Sequence, residues 1–413
     1  MKKPELLLPA GSLDRLKTAL MYGADAVYCG LPSVSLRAKS TFTTADLKEG
    51  ILYAHERGKK VYLTMNLFTH NSDMPRLTEC VQMLKLLKPD GVIVADPGVF
   101  AFIGQMCPDL PRHISTQANV CSALTVQYWQ NQGAALCVLG REVPLAEMRE
   151  IRKMCPDIKL EAFVHGAMCV SYSGRCLLSN FMTGRSANKG NCAHSCRWKY
   201  KVYLEEEQRP GQLMELEEDG HGTYIMNSRD LCLMPRLNEV MDVGLDSFKI
   251  EGRNKSEYYV AVAARAYRKA IDDYFDNPHT WTPDAYVAEL ATLQNRGYTL
   301  GFLDGNAGPE SHNYDISASS GSWRYAGLVQ SQTKDSLIFE IKHKIEKGDV
   351  LEFLSPDQFE PISWTMTEFY DARNDAPLET ISSGHLGQAI RIPMPAAVLE
   401  KLPVLTVARK KIA

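Results

Sequence analysis

The sequence predicts an α/β protein built on a (β/α)8 TIM-like barrel, followed by a small all-β, barrel-like domain. Three observations carry that expectation. Helical patterns that stop at a glycine are followed at once by short apolar runs, as in "GADAVYCG", "GVIVADPG", "GAALCVLG" and "GLDSFKIEG", the signature of a helix end feeding a buried parallel strand. Such runs number eight: "ELLLP", "AVYCG", "KVYLTMN", "GVIVAD", "HISTQ", "ALCVLG", "KLEAFV" and "SFKIEG". From about Tyr325 the pattern changes to short alternating runs bounded by turn residues, among them "GLVQSQ", "SLIFEIK", "DVLEFLS", "WTMTEFYD", "LETISS", "GQAIRIP" and "VLTVAR", the pattern of a small β-domain.

Amphipathic stretches of helical length separate the apolar runs. Leu13 to Tyr22 follows Ser12, a good N-cap, and Thr44 to Arg57 and Pro75 to Leu87 follow in turn. A doubly wound open sheet is the alternative arrangement, and the strand count favours the barrel. The segment starting at Ser256, "SEYYVAVAARAYRKAIDDYF", reads as the helix that closes it. The boundaries expected are 1–320 for the barrel domain, with a cysteine-bearing insertion at about 165–232, and 321–413 for the β-domain. Polar residues stand directly after the strand runs: Asn66, Asp96, Ser115, Gln117, Arg141, Glu142, His165, Glu251 and Arg253. In a barrel these positions converge on the C-terminal rim, where active sites are built. Taken singly, each reads equally well as a helix cap or turn residue.

Composition narrows the function classes. With 413 residues, 45% of them hydrophobic and a formal net charge of −3, the chain exerts no global pull on nucleic acid, so an RNA site must be a local patch. The start, "MKKPELLLPAGSL", has too short an apolar run for a signal segment, and no stretch is long enough to span a bilayer. A cytoplasmic protein with no membrane partner is expected. There is no H-E-x-x-H, G-x-S-x-G, P-loop or G-x-G-x-x-G motif.

Eleven cysteines in such a chain should stay reduced. Cys29 and Cys137 lie in apolar runs and read as core. The stretch "HGAMCVSYSGRCLLSNFMTGRSANKGNCAHSCRWKY", residues 165–200, carries Cys169-x6-Cys176-x15-Cys192-x3-Cys196, and Cys232 follows in "NSRDLCLM". Only Cys192 and Cys196 have the close spacing of a zinc knuckle. The wide, uneven spacing fits the four corners of an iron–sulfur cluster, while zinc and simple burial remain the other readings. Gly166, Gly174, Gly184 and Gly190 let the chain bend, and Arg175, Arg185, Lys189 and Arg197 offset negative charge. Cys169, Cys176, Cys192 and Cys196 are the ligands expected, with Cys232 as the alternate. The run "RWKYKVY" interleaves cations with aromatics, as RNA-facing surfaces do and as solvated strands also do. The acidic loop "LEEEQRPGQLMELEEDGHG" completes an insertion long enough to be functional or disordered.

The stretch "EAFVHGAMCVSYSGRCLLS" closely resembles the signature of the peptidase U32 family, and "NSRDL" and "FKIEGRNKSEYY" resemble further motifs of it. The resemblance spans essentially the whole chain. It implies an iron–sulfur protein, with a 4Fe-4S cluster, that hydroxylates an RNA base or an aromatic substrate without O2 and uses prephenate as oxygen source. Length and the added β-domain are most similar to the branch that hydroxylates wobble uridine in tRNA to 5-hydroxyuridine. It also implies that the ligands fall on the four cysteines named, with Cys232 keeping the fourth position open. Prephenate carries two carboxylates, so Arg253 and Arg141 are its expected cations, with Asn66 and Gln117 binding beside Arg141 and with His165 and Glu251 joining Arg253 as catalytic groups. A peptidase or collagenase, and an RNA-binding protein with a purely structural cluster, are the competing readings; the β-domain and basic run are expected to hold tRNA.

Overall fold

The computed structural model describes residues 2–31, 42–169, 175–185, 187, 191–198, 202–205, 211, 213–216, 228–305, 311, 321–382 and 388–412. Eight parallel strands close a barrel: β1 (Glu5–Pro9), β2 (Ala26–Gly30), β3 (Lys60–Met65), β4 (Gly91–Val94), β5 (Arg112–Ile114), β6 (Leu136–Val138), β7 (Lys159–Ala167) and, after the insertion, β11 (Ser247–Ile250), which pairs with both β7 and β1. Closure rules out the open sheet. Helices α1 (Leu13–Met21), α2 (Thr44–His55), α3 (Met74–Leu87), α4 (Pro97–Met106), α5 (Ala123–Asn131) and α6 (Leu145–Met154) are the crossovers. Local chemistry sets their starts. Ser12 Oγ accepts from Arg15 N, Thr43 and Asp46 form a capping box, and Asp96 accepts from Gly98 and Val99 N.

Between β7 and β11 the insertion carries α7 (Leu178–Thr183), an antiparallel pair β8 (Val202–Glu205) and β9 (Leu213–Leu216), β10 (Asp230–Cys232) and α8 (Leu237–Met241). Part of the acidic loop is therefore a hairpin; the rest of it, and Lys199, Tyr200, Lys201, Gly174, Lys189 and Gly190, lie outside the described residues. β10 runs antiparallel to the end of β7 and carries β12 (Tyr298–Thr299) on its other edge. The long helix α9 (Glu257–Asp276) and α10 (Asp284–Leu290) follow β11. Among the described residues no helix is long and apolar enough to cross a membrane.

The C-terminal unit is all-β. β13 (Trp323–Gln332), β14 (Ser336–Ile341), β16 (Val350–Leu354), β17 (Ile362–Thr365), β18 (Tyr370–Asp371), β20 (Ala389–Pro393) and β21 (Val407–Lys411) form one antiparallel sheet, and β15 (Ile345–Glu346) pairs with β19 (Thr380–Ile381). The run "WTMTEFYD" is not one strand: it breaks between β17 and β18, where Met366 and Phe369 both turn into the domain core. A one-turn helix α11 (Ala396–Leu399) precedes β21.

Two cores hold the molecule: one between the barrel wall and its helices, one inside the β-domain. The domains are joined by buried polar contacts. Glu289 bridges Arg265 (3.0 Å) and Arg409 (2.9 Å), all three almost fully buried, and the Tyr22 hydroxyl donates to Leu354 O and accepts from Val407 N. Such pairs cost much desolvation and hold only because both partners are present.

Candidate active site

Within the barrel, Leu7, Ala26, Tyr28, Tyr62 and Ile93 form a small apolar plug of their own. Beside it, on the paired strands β7 and β11, charges replace apolar residues. Lys249 Nζ is 2.9 Å from Glu161 Oε1, both buried, and Ser247 Oγ donates to the other carboxylate oxygen. The Lys249 ammonium also lies 4.5 Å from the Tyr28 ring centroid and 5.5 Å from that of Phe163. Arg141 stacks on Phe163 at 3.8 Å, and Arg253 lies 5.9 Å from the Tyr28 ring while donating to Thr64 Oγ1 at 2.9 Å. Arg141, Phe163, Lys249, Tyr28 and Arg253 thus form one chain of alternating cations and rings across the mouth. This arrangement is built to take an anion with an unsaturated or aromatic body.

The other rim residues divide. Glu251 accepts from the Tyr28 hydroxyl (3.2 Å), and its backbone carbonyl accepts from the Tyr259 hydroxyl. Close approach explains two glycines: a Cβ on Gly11 would meet Arg253 O at 2.1 Å, and one on Gly166, whose φ is +112°, would meet Glu251 O at 2.4 Å. Asn66 and Gln117 are buried at the mouth, and Gln117 Oε1 has no hydrogen-bond partner among the described residues. Asp96 and Ser115 cap helical turns, the plain role each also allowed.

His165 is not at the mouth. Strand alternation puts Glu161 and Phe163 inside the barrel and would put His165 there too, but the register against β11 shifts by one residue, pairing Phe163 with Lys249 and His165 with Ile250. The bulge turns the imidazole outward. It packs among Tyr259, Tyr267 and Tyr298, with ring centroids 5.5 to 5.9 Å away. Burial, helped by the charge of Lys255, pushes it down to about 3. The catalytic role expected of His165 gives way to a packing role.

The cysteine stretch lies against the same rim. Arg175 donates to Gln117 O at 3.2 and 3.3 Å and approaches the Phe68 ring, so it touches the loops after β5 and β3. Arg197 donates to Met168 O, and Arg185 to Cys192 O and Asn191 Oδ1. Burial pushes the Cys196 thiol up, Arg197 pulls it down, and Cys169, Cys192 and Cys176 each push it up, so these three lie within electrostatic reach of Cys196. His194, held at φ 55°, donates its backbone N–H to Cys192 Sγ at 3.4 Å, the kind of bond that steadies a ligating thiolate. Among the described residues no group of three or more His, Cys, Asp or Glu is arranged to hold a metal ion. In donor type the four thiols of the stretch, half-buried or exposed, are soft ligands.

Cys232 stands apart. It ends β10 opposite His165, is 3% exposed, contacts the Tyr267 hydroxyl and is pushed up to about 11 by burial. It is a buried strand residue. Cys29 and Cys137 are core, each pushed up to about 12 by burial.

Sequence reasoning missed Tyr28, Thr64, Glu161, Phe163 and Lys249. A signal existed for two of them: Glu161 in "LEAFV" and Lys249 in "FKI" are each flanked on both sides by apolar residues, and a charge there needs a partner.

Two family models match the chain: "Peptidase family U32" over residues 11–313 and "Peptidase family U32 C-terminal domain" over 321–403. A relative from Helicobacter pylori named tRNA hydroxylation protein P is 39% identical over 415 residues, covering 96% of this chain and 97% of its own. A relative of the same name from Escherichia coli is 37% identical, covering 96% and 94%. A Porphyromonas gingivalis relative named Collagenase is 29% identical, covering 94% of each chain.

Proposed function

The chain belongs to peptidase family U32, and within it we propose a cytoplasmic RNA hydroxylase that converts the wobble uridine of tRNA to 5-hydroxyuridine, with an iron–sulfur cluster of the 4Fe-4S type and prephenate as oxygen donor. The single observation that carries this reading is the cation-and-ring array of the barrel mouth, with the cysteine stretch tied to the same rim through Arg175 and Gln117. The tRNA substrate is supported by the names of relatives that match over nearly their whole length.

In this reading Arg253 and Arg141 hold the two carboxylates of the donor, and Phe163 and Tyr28 flank its ring. Gln117 supplies an acceptor, Oε1, that is otherwise unused among the described residues, and Asn66, buried after β3, supplies a second amide. Glu251 is the acid–base group, oriented by the Tyr28 hydroxyl. Lys249 keeps the floor positive without leaving its carboxylate partner. Cys169, Cys176, Cys192 and Cys196 would hold the cluster, which supplies one-electron redox chemistry when bound.

Mass spectrometry of tRNA nucleosides from cells with and without the gene tests the reading. Loss of 5-hydroxyuridine, restored by the wild-type gene and not by Cys176→Ala, is expected; an unchanged 5-hydroxyuridine level overturns it. The second reading, a thiol peptidase, has one observation in its favour: Cys192 Sγ lies 3.9 Å from His194 Nδ1. Gelatin cleavage abolished by Cys192→Ala would establish it.

A further inference from the structure

A cavity of about 300 Å3 opens where the barrel domain meets the β-domain. Lys255, just before the start of α9, forms one side; Trp323, Arg324 and Tyr325 of β13, with Lys342 and His343 just after β14, form the other. Among the described residues no aspartate or glutamate lines it, although the chain as a whole carries a net charge of −3. Two of its cations lack a carboxylate partner among the described residues: Lys255 lies over the Tyr259 ring at 5.2 Å, and Arg324 donates to backbone carbonyls of Gly321 and Trp323. Its aromatic side is stacked, with Tyr258 and Tyr325 rings 5.9 Å apart at 11°, and the buried Tyr325 hydroxyl has no hydrogen-bond partner among the described residues.

The cleft and the candidate active site are linked through one short segment of chain after β11. Lys255 follows Arg253 by two positions, and Arg253 reaches Thr64 in the barrel mouth. Arg296 and Arg197 act electrostatically on Lys255, and Arg197 is the neighbour of Cys196. Asp230, which pairs with Arg296, and Glu251 act on Lys255 as well, so cations and carboxylates alternate from the thiol stretch to the cleft. Lys342 is paired with Glu340, and a phosphate would have to compete with that carboxylate; with Lys255 and Arg324, it makes a concave surface of cations beside stacked rings, which suits a strand with regularly spaced phosphates and a free base.

We propose that this interdomain cleft binds single-stranded RNA flanking the base that enters the barrel, with Lys255, Arg324 and Lys342 on phosphates and the Trp323 and Tyr325 side taking a stacked base. The proposal rests on the RNA hydroxylase reading and adds where the RNA lies. It makes the β-domain half of a substrate groove.

Binding of an unmodified tRNA transcript to the full chain, followed by fluorescence anisotropy over a range of salt, tests it. Arg324→Gln with Lys342→Gln should weaken binding about ten-fold or more and flatten the dependence of log affinity on log salt by about 1.4, since each lost contact to a single strand removes roughly 0.7. Trp323→Ala should weaken binding with an unaltered salt slope, and melting curves identify any variant that fails to fold, in which case Lys255→Gln replaces it. Lys2→Glu with Lys159→Glu, in the other cavity at the N-terminal end of the barrel, should leave affinity unchanged. Wild-type affinity and slope in the Arg324→Gln, Lys342→Gln variant overturn the cleft alone. A wild-type chain that binds no tRNA at any salt concentration overturns the substrate reading beneath it, and equal displacement of tRNA by poly-glutamate overturns the choice of RNA as partner.

Discussion

Lys249 and Glu161 meet 2.9 Å apart on neighbouring strands, one from β11 and one from β7, and neither is more than 5% exposed. The pair ties the last barrel strand to the strand that launches the cysteine insertion. It also lies directly under the rings that Arg141 and Arg253 touch. The pair that holds these two strands together therefore also supports the rings of the mouth.

Glu161→Gln leaves a buried ammonium without its counter-charge, and a loss of about 3–5 kcal/mol is expected. The double variant Glu161→Leu, Lys249→Met should recover much of that, because the desolvation cost vanishes with the charges. Urea unfolding of the three chains measures both. The double variant should still lose hydroxylation, since the mouth has lost a cation.

His165 and His113 are both buried with folded-state values of about 3, below the unfolded value of about 6.5. Between those limits the unfolded chain binds more protons than the folded one, so acidification favours unfolding. Stability should be fully present above pH ~6.5 and fall by up to about 1.4 kcal/mol per pH unit for each histidine below it. His165→Phe should flatten that fall by one proton in melts from pH 7 to 5 and keep hydroxylation; loss of activity in a well-folded His165→Phe would restore it to the catalytic set.

Arg253→Ala and Arg141→Ala should each raise the prephenate concentration needed for half-maximal hydroxylation by about ten-fold or more, the usual scale for losing one charge-assisted contact. Full hydroxylation with unaltered prephenate dependence in Arg253→Ala would remove prephenate from this mouth.

Iron and sulfide content after anaerobic purification separates the thiols. Cys196→Ala should lose the brown colour and most of the iron, and Cys232→Ala should keep both, because Cys232 is buried against Tyr267 under α9. Iron lost from Cys232→Ala and kept in Cys196→Ala would reverse the assignment.

Glu289→Gln should uncouple the domains. It takes from buried Arg265 its carboxylate partner and leaves buried Arg409 with Glu352 alone, and a two-step melt in calorimetry is expected in place of one. The first step should abolish tRNA binding if the interdomain cleft holds RNA.

Much of this protein is legible in its residues. The eight apolar runs, their glycine stops and caps such as Ser12 and Thr43 are local features, and they fix strands and helices because parallel strands buried on both faces need continuous apolar sequence. The clustering of Cys169, Cys176, Cys192 and Cys196 was legible for the same reason: it lies in one short segment. What depended on register or on distant segments was not. A one-residue bulge opposite Lys249 and Ile250 turns His165 away from the mouth that its alternation pointed to. Closure of the barrel, not any motif, brings Lys249 to Glu161 across 88 positions of chain, and docking of the β-domain alone places Trp323, Arg324 and Lys342 opposite Lys255. Sequence determined the elements and their chemistry, and the tertiary structure decided which side chains face one another.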